Sequence, residues 1–268
     1  MTYIDTHCHV SPSWYEPVEL LLTQMERNEV AGAVLIQMQG QFDNSYQFDC
    51  VRRFPGRFAP VVALDTDAPD APQTLERLAG EGASGVRLFP TVRSAGDDPL
   101  LLWRTAARLG LPVSCAGSAQ TFSDPAFADL IAALPGLPIV LEHLGALARP
   151  DEDEATAAAR RRVFDLARFP NVMMKITGLG EFARRATPVD NDFSFVRPIP
   201  DYLTRAYAAF GPTRLMWGSD YPPVSGREGY TNALRLPLAE LARIPGCGDA
   251  ERDHVFGGTA RSVFPLCG

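Results

Sequence analysis

The chain has few of the features that mark disulfide-rich, membrane-spanning or nucleic-acid-binding proteins. Its five cysteines are odd in number, widely spaced and free of C-x-x-C pairs, which favours a reducing compartment over a disulfide framework. No apolar run approaches the roughly 20 residues that span a bilayer, and Asp5, His7 and His9 interrupt the apolar segment that an N-terminal signal peptide needs. The net charge of −7 argues against nucleic acid or an anionic membrane surface as a partner. We therefore expect a cytoplasmic protein that binds a small molecule.

Histidine is scarce as well, with four in the chain, yet two of them stand close together at His7 and His9. The surrounding residues are typical of a strand, in which side chains two positions apart point to the same side. Both imidazoles therefore face one surface, with Cys8 on the other. Histidine is the commonest metal ligand in proteins, so the pair can bind one divalent cation or one anionic transition state. A chance pair of surface histidines is the alternative.

Eight short apolar runs recur along the chain, each bounded by Gly, Pro or Asp, as is typical of strands buried on both faces of a parallel sheet. They are Tyr3–His7, Ala33–Met38, Ala59–Leu64, Gly85–Phe89, Pro112–Cys115, Pro138–Glu142, Asn171–Ile176 and Arg214–Trp217. Amphipathic segments separate them; Val18, Leu21, Leu22 and Met25 have the spacing of one helical face. Eight strand–helix alternations predict a (β/α)8 TIM barrel that forms one domain over residues 1–268. A doubly wound open sheet is the alternative, but no G-x-G-x-x-G follows the first strand.

Polar side chains collect where the predicted strands end. Active sites of TIM barrels lie at the carboxyl ends of the strands, so these side chains are the candidates for chemistry. They are His7 and His9 at the first strand, Arg87 in the fourth, His143 after the sixth, Lys175 in the seventh and Asp220 after the eighth. A structural scaffold has no reason to concentrate charge at one rim.

Four motifs in fixed order resemble the amidohydrolase superfamily. They are I-D-T-H-C-H at residues 4–9, E-H-L-G at 142–145, W-G-S-D-Y-P at 217–222 and F-G-G-T-A-R at 256–261. The chain is most similar to the amidohydrolase-related branch, which includes sugar lactonases, pyrone-dicarboxylate lactonases and carboxymuconate-type decarboxylases. The H-x-H motif alone is a weak signal, but together with G-S-D-Y-P after the eighth strand it is a strong one. The resemblance covers nearly the whole chain and implies a TIM barrel.

The resemblance also implies roles for the rim residues. His7, His9 and Asp220 match the metal or substrate ligands of the family, with His143 nearby, and zinc is the metal it favours. Asp220 matches the aspartate that activates water. The family often has another histidine after the fifth strand, but residues 115–120 contain none. Because the branch also contains lactonases that work without metal, metal-dependent and metal-independent hydrolysis both stay open.

Four further residues are predicted to bind substrate. Arg87 lies in a buried strand, where a guanidinium needs a partner: a substrate carboxylate, which its fork fits, or an internal salt bridge. Lys175 is either an ion-pair partner inside the barrel or a contact of the site. Tyr46 and Arg227 follow strand ends and are expected to line the pocket. Glu142 directly precedes His143, so in a regular strand it would point away from the site.

We therefore predict a hydrolase that opens a lactone or similar cyclic ester of a small, anionic, carboxylated molecule. Asp220 would activate water, while His7, His9 and His143, with or without a divalent metal, would polarise the carbonyl. One alternative is a metal-dependent decarboxylase of the same superfamily, of the carboxymuconate-semialdehyde or resorcylate type. Another is a barrel that binds a ligand without catalysis. Apolar outer helices would permit a homodimer.

Overall fold

Eight parallel strands follow one another around a single sheet, and each pairs with the strand that precedes it in sequence. The structure is a computed structural model that describes residues 1–146, 153–189 and 193–266. The strands are β1 (Tyr3–Cys8), β2 (Val30–Ile36), β3 (Phe58–Val62), β4 (Gly85–Leu88), β5 (Val113–Cys115), β6 (Ile139–Leu141), β7 (Val172–Ile176) and β8 (Leu215–Trp217). All eight predicted runs form strands of this sheet, which confirms the (β/α)8 barrel.

Hydrogen bonds between β1 and the segment after β8 close the barrel. The Asp220 amide donates to the His7 carbonyl at 2.8 Å, and the His9 amide donates to the Tyr221 carbonyl at 2.8 Å. The backbones approach so closely that a Cβ atom on Gly218 would lie 2.6 Å from Cβ of His7. Glycine is therefore required at position 218, and the closure brings Asp220 beside His7 and His9.

Helices follow the strands and cover the barrel. They are α1 (Val18–Arg27), α2 (Ser45–Arg53), α3 (Ala71–Gly80), α4 (Leu101–Arg108), α5 (Ala119–Phe122), α6 (Pro125–Ala133), α7 (Glu154–Val163), α8 (Tyr202–Phe210), α9 (Tyr230–Leu241), α10 (Asp249–Asp253) and α11 (Thr259–Val263). The predicted apolar face of the first helix is confirmed, because Val18, Leu21, Leu22 and Met25 are its buried residues. The first helix thus hides an apolar stripe against the sheet, as an amphipathic helix must.

Alternation along the strands divides the core into two parts. Outward residues such as Ala33 and Leu35 of β2 pack with the helices. Inward residues such as Val34, Val61 and Met216 form a separate apolar cluster inside the barrel, and Phe264 covers its amino-terminal end. The apolar filling stops part of the way up the barrel. The next inward positions carry polar groups, and these form the floor of the candidate site.

Two findings bear on the expectations about compartment and membrane. Within the three described ranges, no helix has the length and apolar character needed to cross a bilayer. Cys8, Cys50, Cys115 and Cys247 are buried free thiols. Cys267 lies outside the described residues.

Candidate active site

His7 in β1 and His9 just after this strand face the carboxyl end of the barrel together. Ile4 belongs to the inner cluster, whereas Cys8 packs in the outer core. A register shift between Asp5 and Cys8 separates these two orientations and leaves His7 inward three positions after Ile4. His7 and His9 are almost fully buried, and their ring centroids lie 5.0 Å apart.

A reversal of the backbone after β6 brings His143 to the same place. By alternation from Val140, the inward position is Glu142, so a regular strand would turn His143 outward. Instead His143 and Leu144 adopt left-handed conformations with φ of 50° and 52°. The His143 ring thereby comes within 4.5 Å of the His7 ring, centroid to centroid. The expectation that Glu142 points away is wrong, because it assumed a regular strand through His143, whereas the left-handed turn lets Glu142 and His143 both face inward.

Asp220 enters the site from the segment after β8, also in a left-handed conformation, with φ of 59°. Aspartate tolerates this region better than most residues. Its Oδ1 lies 3.7 Å from Nε2 of His9 and 3.9 Å from Nε2 of His7. Its Oδ2 accepts a hydrogen bond from Nη1 of Arg227 at 2.9 Å. Burial raises the pKa of Asp220, but contact with His9 and the charges of His143 and Arg227 outweigh it, so the pKa lies below its usual value.

Hydrogen bonds fix the tautomers of two imidazoles. Nδ1 of His9 lies 2.8 Å from the Ile36 carbonyl, which can only accept, so this nitrogen carries the proton. Nδ1 of His143 lies 3.0 Å from the Glu181 carboxylate and donates in the same way. Both Nε2 atoms therefore have free lone pairs, and that of His9 lies 3.7 Å from the Asp220 carboxylate. Such lone pairs can accept a proton or bind a metal ion.

The donor set fits a divalent metal. The ligand atoms of His7, His143 and Asp220 lie within 4.8 Å of one another. Nε2 of His7 is buried and has no hydrogen-bond partner among the residues that the structure describes. Two imidazoles and a carboxylate form the ligand type of catalytic zinc sites, and Glu181 behind His143 is the usual outer partner of a ligating histidine. His9 flanks this group on the side of Asp220.

The alternative to a metal ion in this site is a proton on His143. Burial lowers the pKa of His143, but the negative charge and hydrogen bond of Glu181 raise it more, so the net pKa is above its usual value. His7 behaves in the opposite way, because burial and the charge of Lys175 hold its pKa well below the usual range. The site therefore sets two neighbouring imidazoles apart: His143 is the basic one, and His7 stays neutral.

A chain of polar groups fills the floor beneath the histidines. Arg87 donates to Glu142 at 2.8 Å, so the internal salt bridge is the partner that the structure gives this arginine. Ser114 donates to the other oxygen of Glu142 at 2.8 Å and accepts from Lys175 at 2.8 Å. Burial raises the pKa of Glu142, yet Arg87 and Lys175 lower it to about 2 overall. Lys175 is fully buried, which lowers its pKa to about 8.

A cavity of about 530 Å³ opens above this floor. Its walls include His9, His143 and Asp220 together with Arg87 and Arg227, so two of the four predicted substrate residues reach it. Tyr15 stacks on His9, with centroids 5.4 Å apart.

The other two predicted substrate residues lie elsewhere. The Lys175 side chain is beneath the histidines rather than in the cavity wall. Tyr46 lines a neighbouring groove, where its hydroxyl accepts a hydrogen bond from the Val18 amide at 3.1 Å.

Sequence reasoning missed Glu181, which joins two parts of the site. Besides holding His143, its Oε1 lies 3.4 Å from Nη2 of Arg227. Glu181 follows β7 in a short helical turn and is buried. Its place just beyond a strand end is the one signal in the sequence that could have selected it.

The fold and the site define a TIM barrel with a histidine and aspartate centre at its carboxyl rim. A profile of the amidohydrolase family matches residues 4–266, so the chain belongs to this family.

Two curated relatives and one solved structure illustrate the relationship. The chain is 30% identical over 201 residues to the 4-sulfomuconolactone hydrolase of Hydrogenophaga intermedia, over 73% of this chain and 60% of that protein. It is 29% identical over 251 residues to an L-fucono-1,5-lactonase of Burkholderia ambifaria, over 90% and 82%. An amidohydrolase from Burkholderia multivorans, crystallised with bound zinc, superposes with a TM-score of 0.76 at 23% identity over the full length of both chains. At that identity the likeness establishes the fold alone, and the chain spans less than two thirds of the first relative.

Proposed function

We propose that the chain is a hydrolase that opens a lactone or a similar cyclic ester of a small anionic molecule. The observation that carries the proposal is the Asp220 carboxylate, which is kept ionised and lies beside His7, His9 and His143 at the carboxyl end of the barrel. Arg87 and Arg227 in the cavity wall supply positive charge for the substrate. The names of the two curated relatives, both lactone hydrolases, support the ester rather than the amide as the bond that is cut.

In the proposed reaction Asp220 takes a proton from a water molecule while the oxygen of that water adds to the carbonyl carbon of the lactone. The ring carbon–oxygen bond then breaks, the proton returns to the leaving ring oxygen, and the product is an open hydroxy acid. When no ion is bound, His143 contributes in its protonated form, because its raised pKa makes it a donor for the negative charge on the carbonyl oxygen.

We further propose zinc as the ion that His7, His143 and Asp220 hold, with His9 at its side. When bound, the ion would polarise the carbonyl and lower the pKa of water. The unpartnered Nε2 of His7 and the fixed tautomer of His143 support this assignment. The cytoplasmic location and the homodimer also stay proposals, based on the cysteine pattern and the apolar outer helices.

Asp220→Asn tests the function. Asparagine keeps the shape of the side chain and tolerates the left-handed backbone, so the fold is retained. We expect kcat/KM for a lactone panel to fall by about a thousandfold, within the range of a lost general base. His254→Ala is the matched control, since this fourth histidine is exposed and outside the site. Full activity of Asp220→Asn would refute the proposal.

Two further assays complete the test: one identifies the reaction products, and the other measures zinc binding. Proton release with a hydroxy-acid product indicates hydrolysis, whereas release of carbon dioxide indicates the decarboxylase alternative. Zinc binding measured by equilibrium dialysis should be lost in His143→Ala and kept in His254→Ala.

A further inference from the structure

The side chain of Glu228 is enclosed between the loops that follow β7 and β8. It is 0% exposed, and its Oε1 accepts a hydrogen bond from the Gly180 amide at 3.0 Å. A Cβ atom built on Gly178 or on Gly180 would overlap a carboxylate oxygen of Glu228. We call this arrangement of Glu228, Gly178 and Gly180 the glycine cradle. Neither glycine has a left-handed conformation, so it is the Glu228 carboxylate, rather than the backbone, that occupies the space of a Cβ atom at both positions.

The glycine cradle stands directly behind Arg227. Oε2 of Glu228 lies 3.7 Å from Nε of Arg227, and both atoms are buried with no hydrogen-bond partner among the described residues. The far end of the same guanidinium contacts Asp220 at 2.9 Å and Glu181 at 3.4 Å. Arg227 therefore has acidic groups on both sides. Two of them belong to the candidate site, and the third lies behind it.

Glu228 does not line the catalytic cavity, whereas Arg227 does. An arginine side chain has several rotatable bonds, and holding one orientation costs conformational entropy. With Asp220 and Glu181 alone, the guanidinium could collapse onto these two carboxylates. Glu228 opposes that movement, because it attracts the Nε side of the group from behind. The guanidinium is then kept between the base and the cavity.

We propose that Glu228 is a positioning residue that orients Arg227 toward the cavity and Asp220, through the glycine cradle. The proposal rests on the proposed function, in which Arg227 binds the anionic substrate and contacts the base. A purely structural role, in which Glu228 only joins two loops, is the alternative that the experiment must separate. Double-mutant cycles do so, because residues that act through each other give non-additive effects.

The kinetic cycle uses Glu228→Ala, Arg227→Ala and the double variant. We expect Glu228→Ala alone to lower kcat/KM for an anionic lactone by about tenfold, and to change it by less than about twofold when Arg227 is already alanine. Glu228→Gln keeps the shape and the bond to Gly180 but loses the charge behind Arg227. We therefore expect it to recover part of the activity. Effects of the two alanine variants that multiply would overturn the proposal.

The second cycle needs no turnover and uses thermal unfolding. Gly180→Ala places a methyl group against Glu228, so it should lower the Tm of the wild-type chain and have a much smaller effect when Glu228 is alanine. Gly226→Ala is the control on the neighbouring loop after β8, because no described atom lies within 4 Å of its Cβ position. Equal Tm losses of Gly180→Ala in both backgrounds would overturn the glycine cradle.

The two readouts separate this inference from the proposed function. If the wild-type chain opens no lactone, the proposed function fails. A cycle of Tm values for Glu228→Ala and Arg227→Ala then decides whether the two side chains act as a unit. Additive Tm losses in that cycle would overturn the positioning role.

Discussion

Nζ of Lys175 lies 3.3 Å from Nδ1 of His7, beneath the candidate site and out of contact with solvent. Ser114 gives its proton to Glu142, so it must accept from Lys175, which in turn leaves a lysine hydrogen for His7. The direction of these bonds runs from the barrel floor toward the site. Lys175 thus supports a site residue from below rather than contacting substrate.

Lys175→Met tests this support. Methionine fills a similar volume without a donor, so His7 loses its partner while the packing is kept. We expect kcat/KM to fall by about tenfold, as for other outer partners of site histidines, with an unchanged circular dichroism spectrum. Wild-type activity of Lys175→Met would show that His7 needs no support from the barrel floor.

The same variant should change how stability depends on alkaline pH. The pKa of Lys175 is lowered from 10.5 to about 8 in the folded chain. Between these values the unfolded chain binds more protons than the folded one, so this residue makes the free energy of unfolding rise with pH. The contribution is on the order of 3 kcal/mol. We expect the unfolding free energy of wild type, measured in urea relative to that of Lys175→Met, to rise by that order from pH 8 to pH 10.

Acid should act through Glu142. Its pKa is lowered from 4.5 to about 2, so it stabilises the fold above pH 4.5, and this stability is lost as the pH falls from 4.5 toward 2. The contribution of Glu142 to the free energy of unfolding is again on the order of 3 kcal/mol. Glu142→Gln should be less stable at pH 7, because Arg87 loses its partner, and should show a flatter acid limb in urea unfolding. Glu154→Gln is the control, since that side chain is 82% exposed. Parallel acid limbs for wild type and Glu142→Gln would contradict the assignment.

The contrast between Asp220 and Glu181 shows how much of the site can be predicted from the sequence. Asp220 was predictable because it ends a strand within a motif, and strand ends share one rim. Glu181 was not predictable, because its role depends on its hydrogen bond with His143, which is 38 positions away in the sequence. The strands themselves are set by local patterns of apolar residues. A left-handed turn at His143 has no such pattern, so the sequence could not show that Glu142 and His143 both face inward.

Tyr46 and Lys175 illustrate the same difference in another way. Both were predicted to bind substrate because they lie near strand ends. In the structure, Tyr46 instead accepts a hydrogen bond from the Val18 amide. Lys175 forms hydrogen bonds with Ser114 and His7. Sequence position selects the rim, but the neighbours that occupy a side chain come from elements far away in the chain.

Glu181→Gln should weaken the site without unfolding it. The glutamine can present its amide hydrogens to Nδ1 of His143, which would then accept rather than donate, so the proton moves to Nε2 and the lone pair that would bind zinc is lost. We expect zinc affinity to fall by about 10- to 100-fold, measured by competition with a chromogenic chelator. Glu19→Gln is the control, because Glu19 is half exposed and far from the cavity walls. Unchanged zinc affinity in Glu181→Gln would show that the His143 tautomer is fixed by another group.

Gly218→Ala should affect stability and activity together, because the barrel closes at this residue. The new methyl group would lie 2.6 Å from Cβ of His7 and 3.0 Å from its amide nitrogen, and a backbone atom cannot rotate away. Either β1 or the segment after β8 must shift, at a cost of about 1 to 3 kcal/mol. The shifted atoms belong to His7, so kcat/KM should fall by more than the loss of folded protein explains. Gly136→Ala, where no atom of the described residues lies within 4 Å of the Cβ position, should change stability by less than about 0.5 kcal/mol. Tm and kcat/KM of Gly218→Ala that both match wild type would show that the two ends of the sheet do not meet at this glycine.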